Sequence, residues 1–157
     1  MNSQRLAVAV AAAAILVDQA TKVWAVAALD DGPIQIFGDV LRLRLTRNSG
    51  AAFSSLQGLG PLIGVAVVGV VGLIFVMLHH VPRRFEVVGL GLVLGGAIGN
   101  LLDRIFRGEG FLDGAVVDFI DPSFFPTFNG ADSAITIGVA VLLLGAMRPV
   151  EPDPEDD

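Results

Sequence analysis

Four apolar runs, at residues 6–29, 59–78, 85–106 and 131–147, each approach the ~20 residues that an α-helix needs to cross the hydrocarbon core of a bilayer. A chain of 157 residues has too little interior to hide four such helices from water, and 54% of its residues are hydrophobic with a mean hydropathy of +0.72. The expected solvent is therefore lipid. The expected fold is a mainly α membrane protein with four transmembrane helices, forming one integral membrane domain over residues 1–148. Residues 149–157 are expected to be a disordered, solvated tail, because Glu151, Asp153, Glu155, Asp156 and Asp157 crowd there between prolines and supply much of the net charge of -6.

The chain has no cysteine, which excludes disulfides and thiolate metal sites. His79-His80 has no neighbouring Cys, Asp or further His to complete a ligand set, so it reads as an interfacial link; no metal, no cofactor and no nucleic-acid partner are expected. The Ala-rich start resembles a cleavable signal peptide. Retention is expected instead, because the apolar pattern resumes after Lys22 with Val23-Trp24-Ala25-Val26-Ala27-Ala28-Leu29, placing Trp24 towards the outer interface.

Arg83 and Arg84 in the short link between the second and third runs mark the cytoplasmic side, and Arg5 and Arg148 agree, which puts both termini inside. Arg42, Arg44 and Arg47 would then lie outside. Leu41-Arg42-Leu43-Arg44-Leu45 alternates with period two, so this stretch reads as a half-buried strand, and a small extracytoplasmic β segment is expected over residues 34–53.

Ionisable residues within apolar spans carry the functional signal, since each charge near mid-bilayer costs about 3 kcal/mol on insertion scales and must face the bundle interior or a wet cavity. Asp18 and Lys22 are four apart, on one helix face; a structural ion pair and a catalytic role both remain open. Asn100, Asp103 and Arg104 project from one face of the third span, where Arg104 could clamp Asp103 or hold an anionic group of a lipid. Gly91, Gly95 and Gly99 form small-xxx-small steps that let a neighbouring helix approach. Asn129 and Asp132 have the spacing of an N-cap with an acidic first turn, and Asn48 reads equally as a turn residue before Gly50.

Asp118, flanked by Val116, Val117, Phe119 and Ile120, is expected at the mouth of a membrane-buried helix pair, desolvated, with Asp132 beside it. Two carboxylates held close cannot both ionise, so they would share a proton and supply one base and one acid, as water attack on a peptide carbonyl requires. Asp132 is assigned the base role more often and Asp118 the acid.

Five segments appear together and in order: Asp18-Gln19-Ala20-Thr21-Lys22, Asn48-Ser49-Gly50-Ala51-Ala52-Phe53, Gly99-Asn100-Leu101-Leu102-Asp103-Arg104, Val117-Asp118-Phe119 and Phe128-Asn129-Gly130-Ala131-Asp132. Jointly they resemble the bacterial lipoprotein signal peptidases, the type II signal peptidases, over residues 6 to about 147. The resemblance implies a four-helix aspartyl endopeptidase of the bacterial inner membrane with a small outer β-cradle. Such an enzyme cleaves prolipoproteins just before a diacylglyceryl-modified cysteine, at a site near the extracytoplasmic face. By motif, Asp118 and Asp132 match the catalytic pair. Asn48, Gly50, Asn100, Asp103, Arg104 and Asn129 fall in the segments that line and brace the site, and Asp18 and Lys22 match a supporting polar pair. Diacylglyceryl prolipoproteins and membrane lipids are the expected partners of a monomer. Two departures stand out: the connection at 107–115 looks longer than in commoner members, and the loop at 120–127, which the family uses as a flap, looks shorter.

The alternative is a small proton-coupled transporter that shuttles protons through Asp18, Asp103 or Asp132. It predicts duplicated helical halves, and the chain has no internal repeat. A presenilin-like protease would carry Gly-x-Gly-Asp, which does not occur.

Overall fold

Where a long apolar run ends in polar residues or glycine the backbone closes into helix, and Pro61 is tolerated because it falls in the first turn, where its missing N–H has no intrahelical partner. The computed structural model, which describes residues 2–49, 60–78 and 83–147, has four such elements: α1 (Ser3–Ala28), α2 (Gly60–Met77), α3 (Arg84–Phe106) and α4 (Gly130–Ala146). Each lies within a few residues of an apolar run read from the sequence. The Asn2 side chain accepts from the Arg5 backbone N–H at 2.9 Å and so caps the start of α1. By length and composition α1 and α3 are long and apolar enough to cross a membrane, while α2 and α4 are apolar but shorter over the stretches that count.

The bundle is apolar outside, and it buries both an apolar core around Val87, Leu90 and Leu94 and a set of polar side chains. Large apolar side chains are exposed on every helix, including Leu16 (70%), Leu73 (58%) and Leu143 (61%), whereas Asp18, Lys22, Asp103 and Asn129 are buried. In water that distribution would be an aggregation surface; in lipid it is the stable one.

Between α1 and α2 the chain forms β1 (Ile34–Phe37) and β2 (Leu41–Asn48), and β3 (Val116–Pro122) joins them in an antiparallel sheet of order β1-β2-β3. The Leu-Arg alternation of β2 is observed: its leucines are half-buried and its arginines exposed. The third strand departs from the sequence reading, which places Asp118 at the mouth of a helix pair. Val116-Val117-Asp118-Phe119-Ile120 is rich in β-branched and aromatic residues, and it pairs Thr46 with Asp118 and Asn48 with Val116. The side chains of Asn48 and Asp118 therefore share one face of the sheet. Trp24, 47% exposed on α1, meets the ring of Phe119 edge-on at 6.5 Å and joins sheet to bundle.

α3 is the central helix, with α1 on one side and α4 on the other. Gly91 and Gly95 face Ala7 and Ala11 of α1, as the small-residue spacing predicts, but Gly99 lies against the Asp18 carboxylate, so that step makes room for a polar group. A second glycine face, through Gly89 and Gly96, was not read from the spacing; it receives α4. A Cβ at Gly96 would overlap the Ala131 carbonyl oxygen and lie 2.7 Å from Ile135 Cγ1, whereas one at Gly69 on α2 would meet nothing within 4 Å. Gly96→Ala should therefore destabilise the detergent-solubilised protein by about 1–3 kcal/mol, seen as a lower thermal midpoint. Gly69→Ala should leave the midpoint unchanged or raise it slightly.

Candidate active site

The polar groups of α1, α3, α4 and the sheet converge at one end of the bundle. Lys22 is fully buried, and its ammonium donates to Asp18 Oδ2 at 2.9 Å, Asp103 Oδ2 at 2.8 Å and Asn100 Oδ1 at 2.9 Å. An ammonium carries three protons and each has an acceptor. Asp18 uses its other oxygen, Oδ1, to accept the Ala131 backbone N–H at 2.8 Å, satisfying one of the unpaired donors of the first turn of α4. The pair thus locks three helices together.

Asn100 relays this arrangement outward. Its oxygen is taken by Lys22 and by Asn129 Nδ2 (3.2 Å), and its Nδ2 donates to Asp132 Oδ1 at 2.9 Å. Asn129 caps α4 with a full capping box: its Oδ1 accepts from the Asp132 backbone N–H at 2.9 Å, and its own backbone N–H donates to Asp132 Oδ2 at 3.2 Å. The same residue donates from Nδ2 to Asp118 Oδ1 at 2.7 Å, while Asn48 Nδ2 donates to Asp118 Oδ2 at 3.1 Å. Asn129 therefore holds both carboxylates at once.

Asp118 and Asp132 line a cavity of about 1000 Å³ whose other walls include Asn48, Asn100, Arg104, Val67 of α2, Ile137 of α4 and the turn carrying Phe124 and Phe125. Burial pushes the Asp118 carboxyl up to about 6, and the charge of Asp132 adds to the rise; hydrogen bonds from Asn48 and Asn129 and the charge of Lys22 only partly oppose it. The cavity thus offers, near neutral pH, a carboxyl that can carry a proton beside a second carboxyl whose oxygens both accept hydrogen bonds.

Arg104 does not clamp Asp103. That contact belongs to Arg107, one turn on, whose Nε donates to Asp103 Oδ1 at 2.8 Å; Val117 N–H donates to Asp103 Oδ2 at 3.1 Å. Arg104 instead lines the cavity within electrostatic reach of Asp118, and its buried Nη1 has no hydrogen-bond partner among the described residues. Two participants were missed in the sequence. Gln19 Nε2 contacts Asp18 Oδ2 (3.1 Å) and the Gly99 carbonyl (3.1 Å), although it sits inside a motif already singled out; Arg107 is signalled by its spacing of four from Asp103. Gly50 and the His79-His80 pair lie outside the described residues.

A family model described as signal peptidase (SPase) II matches residues 10–148. The chain belongs to the signal peptidase II family. It is 42% identical over 154 residues to a lipoprotein signal peptidase of Rhodococcus jostii, covering 97% of this chain and 78% of the relative. It is 44% identical over 158 residues to the lipoprotein signal peptidase of Streptomyces coelicolor, covering 97% and 76%. A solved bacterial membrane enzyme, determined by the in meso method at 2.3 Å resolution, superposes with a TM-score of 0.79 at 26% identity over 94% of each chain. Nothing in these likenesses supports the transporter reading.

Lys22 is fully buried. Lys22→Met should leave Asp18 and Asp103 buried with one of their cations gone, costing about 3–5 kcal/mol, measurable as a fall in the thermal midpoint and in the yield of folded protein. A midpoint equal to that of the unsubstituted chain would mean that the lysine does not hold the helices together.

Proposed function

We propose that this signal peptidase II family member is an intramembrane aspartyl endopeptidase that removes the signal peptide of diacylglyceryl-modified prolipoproteins, cutting on the N-terminal side of the lipidated cysteine, with Asp118 and Asp132 as its catalytic pair. The observation that carries this reading is Asn129, which donates to Asp118 at 2.7 Å and to Asp132 at 3.2 Å and so joins two carboxylates from different elements into one unit at the cavity wall. Four helices span the bacterial inner membrane, with both termini cytoplasmic and the sheet and cavity at the extracytoplasmic end. The substrate enters from lipid, where burial of its apolar chains contributes about 0.8 kcal/mol per methylene, so the polar cluster has only to orient one peptide bond.

In the reaction Asp132 takes a proton from a water molecule as its oxygen bonds to the scissile carbonyl carbon, and protonated Asp118 gives its proton to the carbonyl oxygen. Asp118 then recovers a proton from the resulting diol while Asp132 passes its own to the departing amine as the C–N bond breaks. Each cycle returns the pair to one shared proton. Arg104, with an unused buried donor, and Asn48 hold the peptide carbonyl or the lipid ester.

Asp118→Asn and Asp132→Asn should each lower cleavage of an acylated prolipoprotein about 10²–10⁴-fold while leaving the thermal midpoint near that of the parent. Native-like cleavage by either folded variant would refute the pair.

The pH profile gives a second test. The acid role needs Asp118 protonated, so kcat/KM should fall as pH rises through about 6, the value to which the free carboxyl is pushed. Asn48 donates to Asp118 and thereby favours its charged form, so Asn48→Ala should move that alkaline limb to higher pH. A limb that stays in place, or moves down, would show that Asp118 is not the titrating group.

A further inference from the structure

Asp121 lies on β3 three residues beyond Asp118, buried and unused by the chemistry above. Its Oδ2 accepts from Arg42 Nε at 2.6 Å and from Arg44 Nε at 2.8 Å, both on β2, and its Oδ1 accepts from Thr127 Oγ1 at 2.9 Å. One carboxylate thus binds the neighbouring strand on one side and the returning chain on the other.

That returning chain is the outer wall of the cavity. It folds back along β3, with Ile120 N–H to the Phe128 carbonyl at 2.9 Å and Phe128 N–H to the Ile120 carbonyl at 3.0 Å, and its tip carries Phe124 and Phe125. These rings are 79% and 60% exposed yet line the cavity, so their own packing does little to fix the tip. The backbone holds the near end of the turn, where Ser123 N–H donates to the Val40 carbonyl at 3.0 Å, and the Thr127 hydroxyl is the side-chain anchor at its far end.

We propose that Asp121 is a positioning residue for substrate: by gripping Arg42 and Arg44 with one oxygen and Thr127 with the other, it pins the 122–128 turn, expected from the resemblance to be a flap, as a fixed apolar wall for the substrate's greasy segment. This rests on the peptidase reading above. Burial alone would raise the Asp121 carboxyl, but hydrogen bonds from Arg42, Arg44 and Thr127 and the charge of Arg44 outweigh it and hold the group below the usual carboxylate range. The pin therefore stays charged wherever cleavage is measured near neutral pH.

The test uses the full chain in detergent with a diacylglyceryl prolipoprotein. Thr127→Val, which removes the hydroxyl and keeps the shape, should lower kcat/KM roughly 10-fold, mainly through KM, and Thr127→Ser should recover most of the loss. Asp121→Asn should do at least as much, and adding Thr127→Val to it should do little more, because the two groups act through one contact. If Asp121→Asn does not fold, the Val and Ser pair decides alone. A Thr127→Val enzyme with unchanged kcat/KM, a loss confined to kcat, a Thr127→Ser as poor as Thr127→Val, or fully additive losses in the double variant would each overturn the pin. These outcomes are read against an unsubstituted chain that cleaves; failure of that chain to cleave would instead remove the peptidase reading itself.

Discussion

The Lys22 ammonium, sealed from solvent and bonded to Asp18, Asp103 and Asn100, is the constraint on which the site depends. A buried ammonium cannot leave a proton unpaired without a cost of several kcal/mol, so all three acceptors must stay within hydrogen-bond range. That fixes α1 against α3. It also decides how Asn100 lies: with its oxygen committed to Lys22, its amide nitrogen must point the other way, towards Asp132. Asp18 carries the same constraint into α4 through the Ala131 N–H. The register of three helices and the aim of the Asn100 amide at Asp132 therefore follow from a single buried charge, and Gly99 is the residue on α3 that leaves space for the Asp18 carboxylate.

Charge balance then bears on the state of the pair. Around this end of the bundle four carboxylates, Asp18, Asp103, Asp118 and Asp132, meet three cations, Lys22, Arg104 and Arg107. With every group ionised one negative charge would be left in a poorly solvated region, and one proton removes it. Burial and the charge of Asp132 push the Asp118 carboxyl up to about 6, so Asp118 can hold that proton. A single shared proton is the state that acid and base catalysis by two carboxyls requires.

Much of this was legible in the sequence because membrane solvation makes polar residues conspicuous. Asp18, Lys22, Asn100, Asp103 and Arg104 stand out from apolar runs, and the structure brings them to one place with Asp118, Asp132, Asn48 and Asn129. The helices are legible for the same reason, since a long apolar run has few alternatives. The strand carrying Asp118 was not, because a short β-branched stretch has no period that separates it from a buried helix segment. Nor was the partner of Asp103: Arg104 and Arg107 are both within one turn, and only the packing of α3 shows that the nearer arginine faces the cavity and the farther one bonds the carboxylate. The α4 face of α3 was hidden behind the more regular Gly91-Gly95-Gly99 spacing. Asp121 was missed because its partners are remote in the chain and lie on two different elements.

Placing the two carboxyls on different kinds of element gives them different surroundings from the same backbone rules. Asp118 projects from a strand among buried valines and a phenylalanine and, among the described residues, has only side-chain donors, so burial dominates it. Asp132 belongs to the first turn of a helix, where a backbone N–H and the Asn100 amide reach its two oxygens. Asn129 links the two cases: its carbonyl side completes the capping box that starts α4, and its amide nitrogen turns to the strand. Because one side chain performs both tasks, the residue that caps α4 also ties Asp132 to Asp118, and the geometry of the pair is coupled to the start of the helix.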